Sequence, residues 1–162
     1  MKKLTFAGIL IFIITMKGYS QIEKHTILVG GYASFDVNSY NNYFIFNPNS
    51  GIFVSDKWCL GVSVPIVYTF DKLYWGLTPF GRYYFKAKES RSFFITGAIG
   101  LTSFINSENT LDQNSLSLGI GHVWLLNKSV GFETHLQGST SFDNIAVGLF
   151  FGFQIYFNKA NE

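Results

Sequence analysis

The sequence is short of charge, cysteine and proline, and these shortages exclude several classes of protein. Charged residues make up 14% of the 162 residues, against roughly 25% in a typical soluble domain. With 48% of the residues hydrophobic, the composition is not that of a disordered chain. The single cysteine, Cys59, excludes a disulfide framework and a cysteine-rich metal site. A formal charge of +2 provides no positive stripe for a phosphate backbone, so no nucleic-acid partner is expected.

Aromatic residues and glycine are abundant instead. Phe contributes 18 residues, aromatic residues reach 19%, and 16 glycines stand against only three prolines. This composition is typical of chains that form many short strands. The three histidines, His25, His122 and His135, are scattered without ligand spacing. The sequence therefore predicts neither a metal site nor a cofactor.

The first twenty residues have the pattern of a secretory signal peptide. A basic start, Lys2-Lys3, precedes an apolar run from Leu4 to Met16, and small residues occupy the cleavage positions. The run is shorter than the roughly 20 residues that a membrane-spanning helix needs. We therefore predict a cleaved signal peptide at 1–20 and a single domain at 21–162. Removing the three lysines of the signal leaves nine basic and ten acidic residues, so the mature chain is close to neutral.

Side chains alternate in character along nearly the whole chain after the signal. In the segment 58–70 the even positions are bulky and apolar, and the odd positions are mainly small or polar. The segment 145–157 has the same pattern, with its apolar residues at odd positions. Because a strand sends alternate side chains to opposite faces, each segment has one apolar face. Eight such strands are predicted, at 26–36, 43–54, 58–70, 74–85, 93–104, 115–125, 129–140 and 145–157.

Charge placement indicates which face points outward. Charged residues lie almost entirely in connections and at strand ends, and only Arg82 and Glu133 lie within strands. A water-exposed surface carries about 25–35% charged residues, whereas a small polar face suits the narrow lumen of a small barrel. An open sheet edge in hydrocarbon would leave backbone groups unpaired. The prediction is an all-β fold, a closed antiparallel eight-stranded up-and-down transmembrane β-barrel; the alternative is a soluble lipocalin-like ligand-binding barrel with the opposite orientation.

The outer face of this barrel is predicted to contact membrane lipid. Its lipid-facing residues on the two clearest strands are Trp58, Leu60, Val62, Val64, Ile66, Val147, Leu149, Phe151, Phe153 and Ile155. Aromatic residues near strand ends are interpreted as interfacial girdles rather than as core packing. They are Trp58, Tyr68, Phe70, Tyr74, Trp75, Tyr83, Phe85, Phe93, Phe104, Trp124, Tyr156 and Phe157.

The segments 27–35, 48–57 and 79–85 carry a family resemblance. They resemble the small outer-membrane β-barrel proteins of Bacteroidetes-type bacteria, a Gram-negative family with an outer-membrane-protein-A-like eight-stranded barrel. The resemblance implies location in the outer membrane after secretion through the inner membrane. It also implies insertion by the barrel-assembly machinery, with Phe157 as the terminal aromatic read by that machinery. The chain ends and the tight turns would be periplasmic, and outward loops would lie near 37–42, 71–73, 105–113 and 141–144.

Four inward-facing residues form the predicted polar core of the lumen: Arg82, Glu133, His135 and Gln137. The strands of Arg82 and Glu133 lie on nearly opposite walls, and their long side chains can pair across a lumen of this width. The alternative is a lipid-modifying hydrolase or acyltransferase that uses Glu133, His135 and Ser139. The local motifs of such enzymes are not matched. The prediction is a monomeric, non-catalytic barrel with a filled lumen and a structural or surface-interaction role.

Overall fold

The computed structural model describes residues 22–37, 42–69, 72–88, 91–103, 113–141 and 144–158. The predicted signal peptide at 1–20 and most of the predicted outward loops lie outside these residues. The strands are β1 (Ile27–Val37), β2 (Asn42–Phe53), β3 (Trp58–Ser63), β4 (Ile66–Thr69), β5 (Lys72–Lys88), β6 (Arg91–Ser103), β7 (Gln113–Leu125), β8 (Val130–Ser141) and β9 (Asn144–Phe157). Within this part of the chain, no helix has the length and hydropathy needed to cross a membrane.

The strands form one closed antiparallel sheet. From β5 onward each strand pairs with the next in sequence, and both β3 and β4 lie between β2 and β5. The sheet closes because β1 pairs with β2 on one side and with β9 on the other, from Ile27–Phe157 to Ala33–Phe151. Since β3 and β4 are two halves of one wall strand, the fold is the predicted eight-stranded antiparallel barrel.

This wall strand is interrupted, whereas the alternation over 58–70 predicts one continuous strand. Val64 and Pro65 separate β3 from β4. The Val64 N–H donates to the Pro48 carbonyl at 2.9 Å, and the Pro65 carbonyl accepts from the Gly76 N–H at 3.0 Å. Because proline has no N–H, Pro48 cannot donate a hydrogen bond to Val64, and Pro65 cannot donate one to Gly76. The register on both sides of the gap is the same, so the interruption removes hydrogen bonds without exchanging the two faces.

The hairpin near residue 90 is longer than predicted. The predicted strands end at 85 and resume at 93, but β5 continues to Lys88 and β6 begins at Arg91. Lys86 pairs with Ser92, and the register shifts before Lys88 pairs with Arg91. Charged side chains do not prevent the backbone pairing of two strands beyond the rows of apolar side chains. A prediction based on polarity therefore ends these two strands too early.

The described chain ends and tight turns lie together at one end of the barrel. The His25 N–H, just before β1, donates to the Phe53 carbonyl at the end of β2, at 2.7 Å. The Tyr156 N–H in β9 donates to the Ser129 carbonyl in the turn before β8, also at 2.7 Å. We call this the turn end, and the opposite end the loop end.

The outer and inner faces of the wall differ in the way that the alternation predicts. Many large apolar side chains on the outer face are 38–83% exposed, whereas Arg82 and Glu133 are 4% and 0% exposed. Val64 and Ile66 are half-buried beside the interruption, and Ile66 pairs with the outward-facing Trp75. The other predicted lipid-facing residues are exposed on the outer face: Trp58, Leu60, Val62, Val147, Leu149, Phe151, Phe153 and Ile155.

Among the girdle residues whose side chains the structure describes, Tyr156 has the wrong orientation. Tyr156 is 1% exposed and points into the lumen. Its position near a strand end suggested the membrane interface, but it shares the inward face of β9 with Gln154. Phe70 and Phe104, also predicted for the girdles, lie outside the described residues. Strand parity is thus the better guide to orientation here than the type of side chain.

Candidate functional site in the lumen

The carboxylate of Glu133 binds side chains from three other strands. Arg82 Nη1 donates to Glu133 Oε2 at 3.2 Å, and the pair forms a buried salt bridge. The Tyr156 hydroxyl donates to Oε1 at 2.7 Å, and the Tyr32 hydroxyl donates to Oε2. These contacts link β1, β5, β8 and β9 through one carboxylate. A buried charge with three donors avoids much of the penalty that an unpaired charge would carry.

Aromatic rings surround the other charge of this pair. Arg82 Nη1 also donates to the Tyr84 hydroxyl at 3.4 Å. The central guanidinium carbon lies 4.8 Å from the ring centroids of Phe80 and Phe94, and 5.2 Å from that of Tyr32. A cation within about 6 Å of a ring face is attracted by the ring's electrons. The guanidinium is therefore held by rings as well as by the carboxylate.

A glycine in β9 gives Tyr32 access to Glu133. Gly152 lies between these two residues in register, with Glu133 on one neighbouring strand and Tyr32 on the other. A Cβ at Gly152 would lie 2.8 Å from the Tyr32 ring and 2.0 Å from the Gly31 carbonyl oxygen. Any larger residue would push the ring away. The absence of a side chain at 152 thus allows the tyrosine to reach the carboxylate.

His135 does not pair with Glu133. Its Nε2 lies 3.3 Å from Gln137 Oε1, and its ring stacks on Phe150 at 4.9 Å with an interplanar angle of 10°. The Glu133 oxygens are bound by the three donors described above. Among the described contacts, Glu133, His135 and Ser139 therefore form no hydrogen-bonded catalytic series. This geometry is that of a packed polar core rather than of an acid-base site.

Sequence reasoning missed the two tyrosines that bind Glu133. Tyr32 lies on the inward face of β1 with Leu28, and Tyr156 lies on the inward face of β9. Parity alone could have directed both hydroxyls into the lumen. The search for mid-strand charges did not include neutral donors, although tyrosine hydroxyls are common partners of buried carboxylates.

Apolar side chains fill the turn half of the lumen. We call this cluster the aromatic plug; it consists of Leu28, Phe53, Cys59, Phe80, Tyr84, Phe94, Val123 and Tyr156, all buried. The Phe53 ring lies 5.1 Å from Tyr84 and 6.3 Å from Tyr156. Cys59 is a free thiol within this packing. The plug closes the turn half of the lumen next to the Arg82–Glu133 pair, and its member Phe80 also lines the cavity on the loop side of Arg82.

A small polar cavity lies on the loop side of Arg82. Its volume is about 30 Å³. We call it the polar chamber; its walls are Tyr32, Asn47, Asn49, Ser63, Thr78, Phe80, Arg82, Thr96, Ala98, His135 and Gln137. Three of the four residues of the predicted polar core, Arg82, His135 and Gln137, line this chamber. The lumen thus changes from apolar to polar at the level of Arg82.

The outer wall carries an open apolar groove of about 730 Å³. Glycines on neighbouring strands form its floor: Gly81 pairs with Gly97, and Leu118 pairs with both Gly97 and Gly138. A Cβ at Gly97 would touch only the Leu118 side chain, at 3.6 Å. These outward glycines therefore have free space in front of them, in contrast to the inward ones.

The chain matches known proteins in structure but not in sequence. No protein-family model matches the chain, and no curated protein matches it. The N-terminal β-barrel domain of Pseudomonas aeruginosa OprF aligns with a TM-score of 0.66 at 12% identity, covering 83% of this chain and 98% of that domain. Neisserial surface protein A (NspA) has a TM-score of 0.62 at 11% identity, covering 82% of this chain and 96% of its own. Outer membrane protein OprG from Pseudomonas aeruginosa has a TM-score of 0.60 at 13% identity, covering 88% and 100%.

At these identities the likeness shows the fold alone. The chain has the fold of small eight-stranded outer-membrane β-barrels, and each of the three solved structures is covered almost completely. The narrower resemblance to a Bacteroidetes-type, outer-membrane-protein-A-like family stays a prediction.

Proposed function

We propose that the protein is a small integral outer-membrane β-barrel with a side-chain-filled lumen and a structural or surface-interaction role, without catalytic activity. The observation that carries this proposal is that the buried charges of Arg82 and Glu133 pair with each other inside a barrel whose outer face is apolar. Arg82 and Glu133 form a salt bridge, and Glu133 also accepts hydrogen bonds from the hydroxyls of Tyr32 and Tyr156. A carboxylate bound in this way stabilises the barrel, and Glu133 is then not available as an acid or base for chemistry.

The outer face supports a lipid environment. Ile95, Ile120, Leu136 and Leu149 lie side by side on four consecutive strands, and each is 45–62% exposed. Soluble monomers rarely expose contiguous apolar patches larger than a few hundred Å². A soluble lipocalin-like barrel needs these residues on its inside. Outer-membrane lipid is therefore the partner that we propose for this face.

The lumen supports a structural role rather than a diffusion pore. Eight strands enclose an interior just wide enough for side chains. The aromatic plug fills the turn half, and Arg82 with Glu133 crosses the lumen above it. The hydrolase or acyltransferase alternative is not favoured, because His135 contacts Gln137 and Phe150 instead of Glu133. Surface contacts would then be made at the loop end.

The proposed route to the membrane includes the signal peptide at 1–20 and the barrel-assembly machinery. Phe157, the proposed terminal aromatic, is exposed on the outer face at the turn end and pairs with Ile27. An aromatic in this position is accessible before the barrel closes. The protein is proposed to work as a monomer, without a cofactor.

Cell fractionation of the full chain tests the location. We expect recovery in the outer-membrane detergent fraction, with a folded form that migrates differently on gels before and after heating. Recovery as a soluble monomer would contradict the proposal and favour the lipocalin-like barrel.

Lipid analysis tests the absence of catalysis. Membranes with and without the protein should contain the same phospholipids and acylated lipids. A lipid product that appears with the wild-type chain and disappears with a folded His135→Ala variant would establish the enzymatic alternative. The neighbouring outward substitution Thr134→Ala provides the matched control.

A further inference from the structure

Four residues that line the polar chamber carry five buried polar atoms without a hydrogen-bond partner in the described part of the chain. They are Asn47 Oδ1, Asn49 Oδ1, Asn49 Nδ2, Arg82 Nε and His135 Nδ1. Asn49, Arg82 and His135 are each more than nine-tenths buried, and all four residues line the chamber. Buried polar groups in native proteins are nearly always paired with protein or with an ordered ligand. Five such atoms around one cavity indicate a site for a bound molecule.

The five atoms require a ligand that both donates and accepts hydrogen bonds. Arg82 Nε and Asn49 Nδ2 are donors, and the two asparagine oxygens are acceptors. His135 Nε2 lies 3.3 Å from Gln137 Oε1, an oxygen that can only accept. We therefore assign the ring proton to Nε2, which makes Nδ1 an acceptor. The ligand must therefore donate to three atoms and accept from two.

This requirement excludes simple ions. An anion could accept from Arg82 and Asn49 but would face three acceptors, and the Arg82 charge is already paired with Glu133 at 3.2 Å. A cation could bind the acceptors but would lie beside the guanidinium. A neutral molecule with both kinds of group is needed, and water is the smallest one.

The volume of the chamber determines how much water it can hold. The cavity measures about 30 Å³, and one water needs at least about 10–15 Å³ of such volume. One water makes at most four hydrogen bonds, fewer than the five unpaired atoms. We propose that the polar chamber binds a pair of water molecules that bridge Asn49 on β2, Arg82 on β5 and His135 on β8.

The bound waters have a structural consequence for Arg82. The salt bridge and the tyrosine bond use Nη1, while the waters would hold Nε from the loop side. Hydration inside the barrel would then end at the guanidinium, because the aromatic plug lies directly beyond it. This inference does not depend on the membrane role, since it concerns only the interior of the fold.

Water-selective NMR on the full folded chain in detergent micelles tests the proposal. We expect cross-peaks from long-lived water to the Asn49 side-chain amide and to the Arg82 Nε proton. The Val123 methyl groups, in the aromatic plug, should show none. Missing cross-peaks at both Asn49 and Arg82 in the folded protein would overturn the proposal by showing a dry chamber.

A variant and a salt titration separate water from other occupants. Asn49→Leu should abolish the water cross-peak at the Arg82 Nε proton, while Ser50→Ala, on the outer face beside it, should leave that cross-peak unchanged. Persistence of the cross-peak in a folded Asn49→Leu chain would contradict the bridging site. Increasing chloride should not shift the Arg82 Nε resonance; a saturable shift would show a bound anion and would overturn the proposal.

Discussion

Side chains on the lumen face of the barrel are held by specific hydrogen bonds and close packing. The large side chains on the outer face are mostly apolar and exposed. A Cβ at the inward Gly61 would lie 2.4 Å from the Ser50 carbonyl oxygen and 2.5 Å from the Phe80 ring. At the outward Gly97, the nearest atom would be 3.6 Å away. Structural specificity in this barrel is therefore concentrated inside, and the outer face has only to remain apolar. Three pairs of substitutions test this contrast.

The largest effect is expected for Glu133→Ala. The substitution leaves the buried Arg82 guanidinium without its counter-charge, and breaking a buried pair in this way costs about 3–5 kcal/mol. The free energy of unfolding, measured by urea titration in lipid vesicles with tryptophan fluorescence, should fall by that amount. Thr134→Ala, the adjacent residue on the outer face, should change it by no more than about 0.5 kcal/mol. Equal losses from both variants would contradict the contrast.

A charge on the outer face should have the next largest effect. Leu149→Lys places a lysine near the middle of β9, on the face that we propose contacts hydrocarbon. The substitution should lower the free energy of unfolding by about 2–4 kcal/mol. Ile27→Lys, at the turn end of β1, should cost only about 0–1 kcal/mol because it lies near an interface. The same vesicle titration measures both variants. Nearly neutral values for both would indicate that water, not lipid, covers this face.

The smallest effect is expected from added methyl groups. Gly61→Ala inserts a Cβ into filled space, and overpacking of this kind costs about 1–3 kcal/mol. Gly97→Ala places the same group in the open groove and should alter the free energy of unfolding by no more than about 0.5 kcal/mol. Equal destabilisation by the two alanines would mean that the outer glycines are as constrained as the inner ones.

The fold could be predicted from the sequence because a period of two is present in the side chains themselves. Trp58, Leu60 and Val62 show the outer face directly, and the same parity assigns the lumen face. The interruption at Pro65 could not be read in this way, since the register continues across it and the alternation is preserved. The extension of β5 to Lys88 was missed because backbone pairing does not require apolar side chains.

The site was predicted only in part, for a geometric reason. Parity and charge identified Arg82 and Glu133, and the structure brings the two side chains together. Parity does not reveal how far each inward side chain reaches across the lumen, which depends on strand stagger and side-chain length. The contributions of Tyr32 and Tyr156 depend on that reach. For Tyr156, the tendency of tyrosine to lie at membrane interfaces also suggested the wrong face.

The seam between β1 and β9 determines when this chain can fold. These strands are the first and last of the described residues, and they pair over seven residues on each side, Ile27–Ala33 with Phe151–Phe157. Until the final strand has been synthesised, the growing sheet retains two free edges. Contacts between residues so distant in sequence form late, because bringing them together requires closing a long loop. Closure of the barrel is thus expected only after β9 has been made, and a chain truncated before β9 would expose pairing edges that invite aggregation.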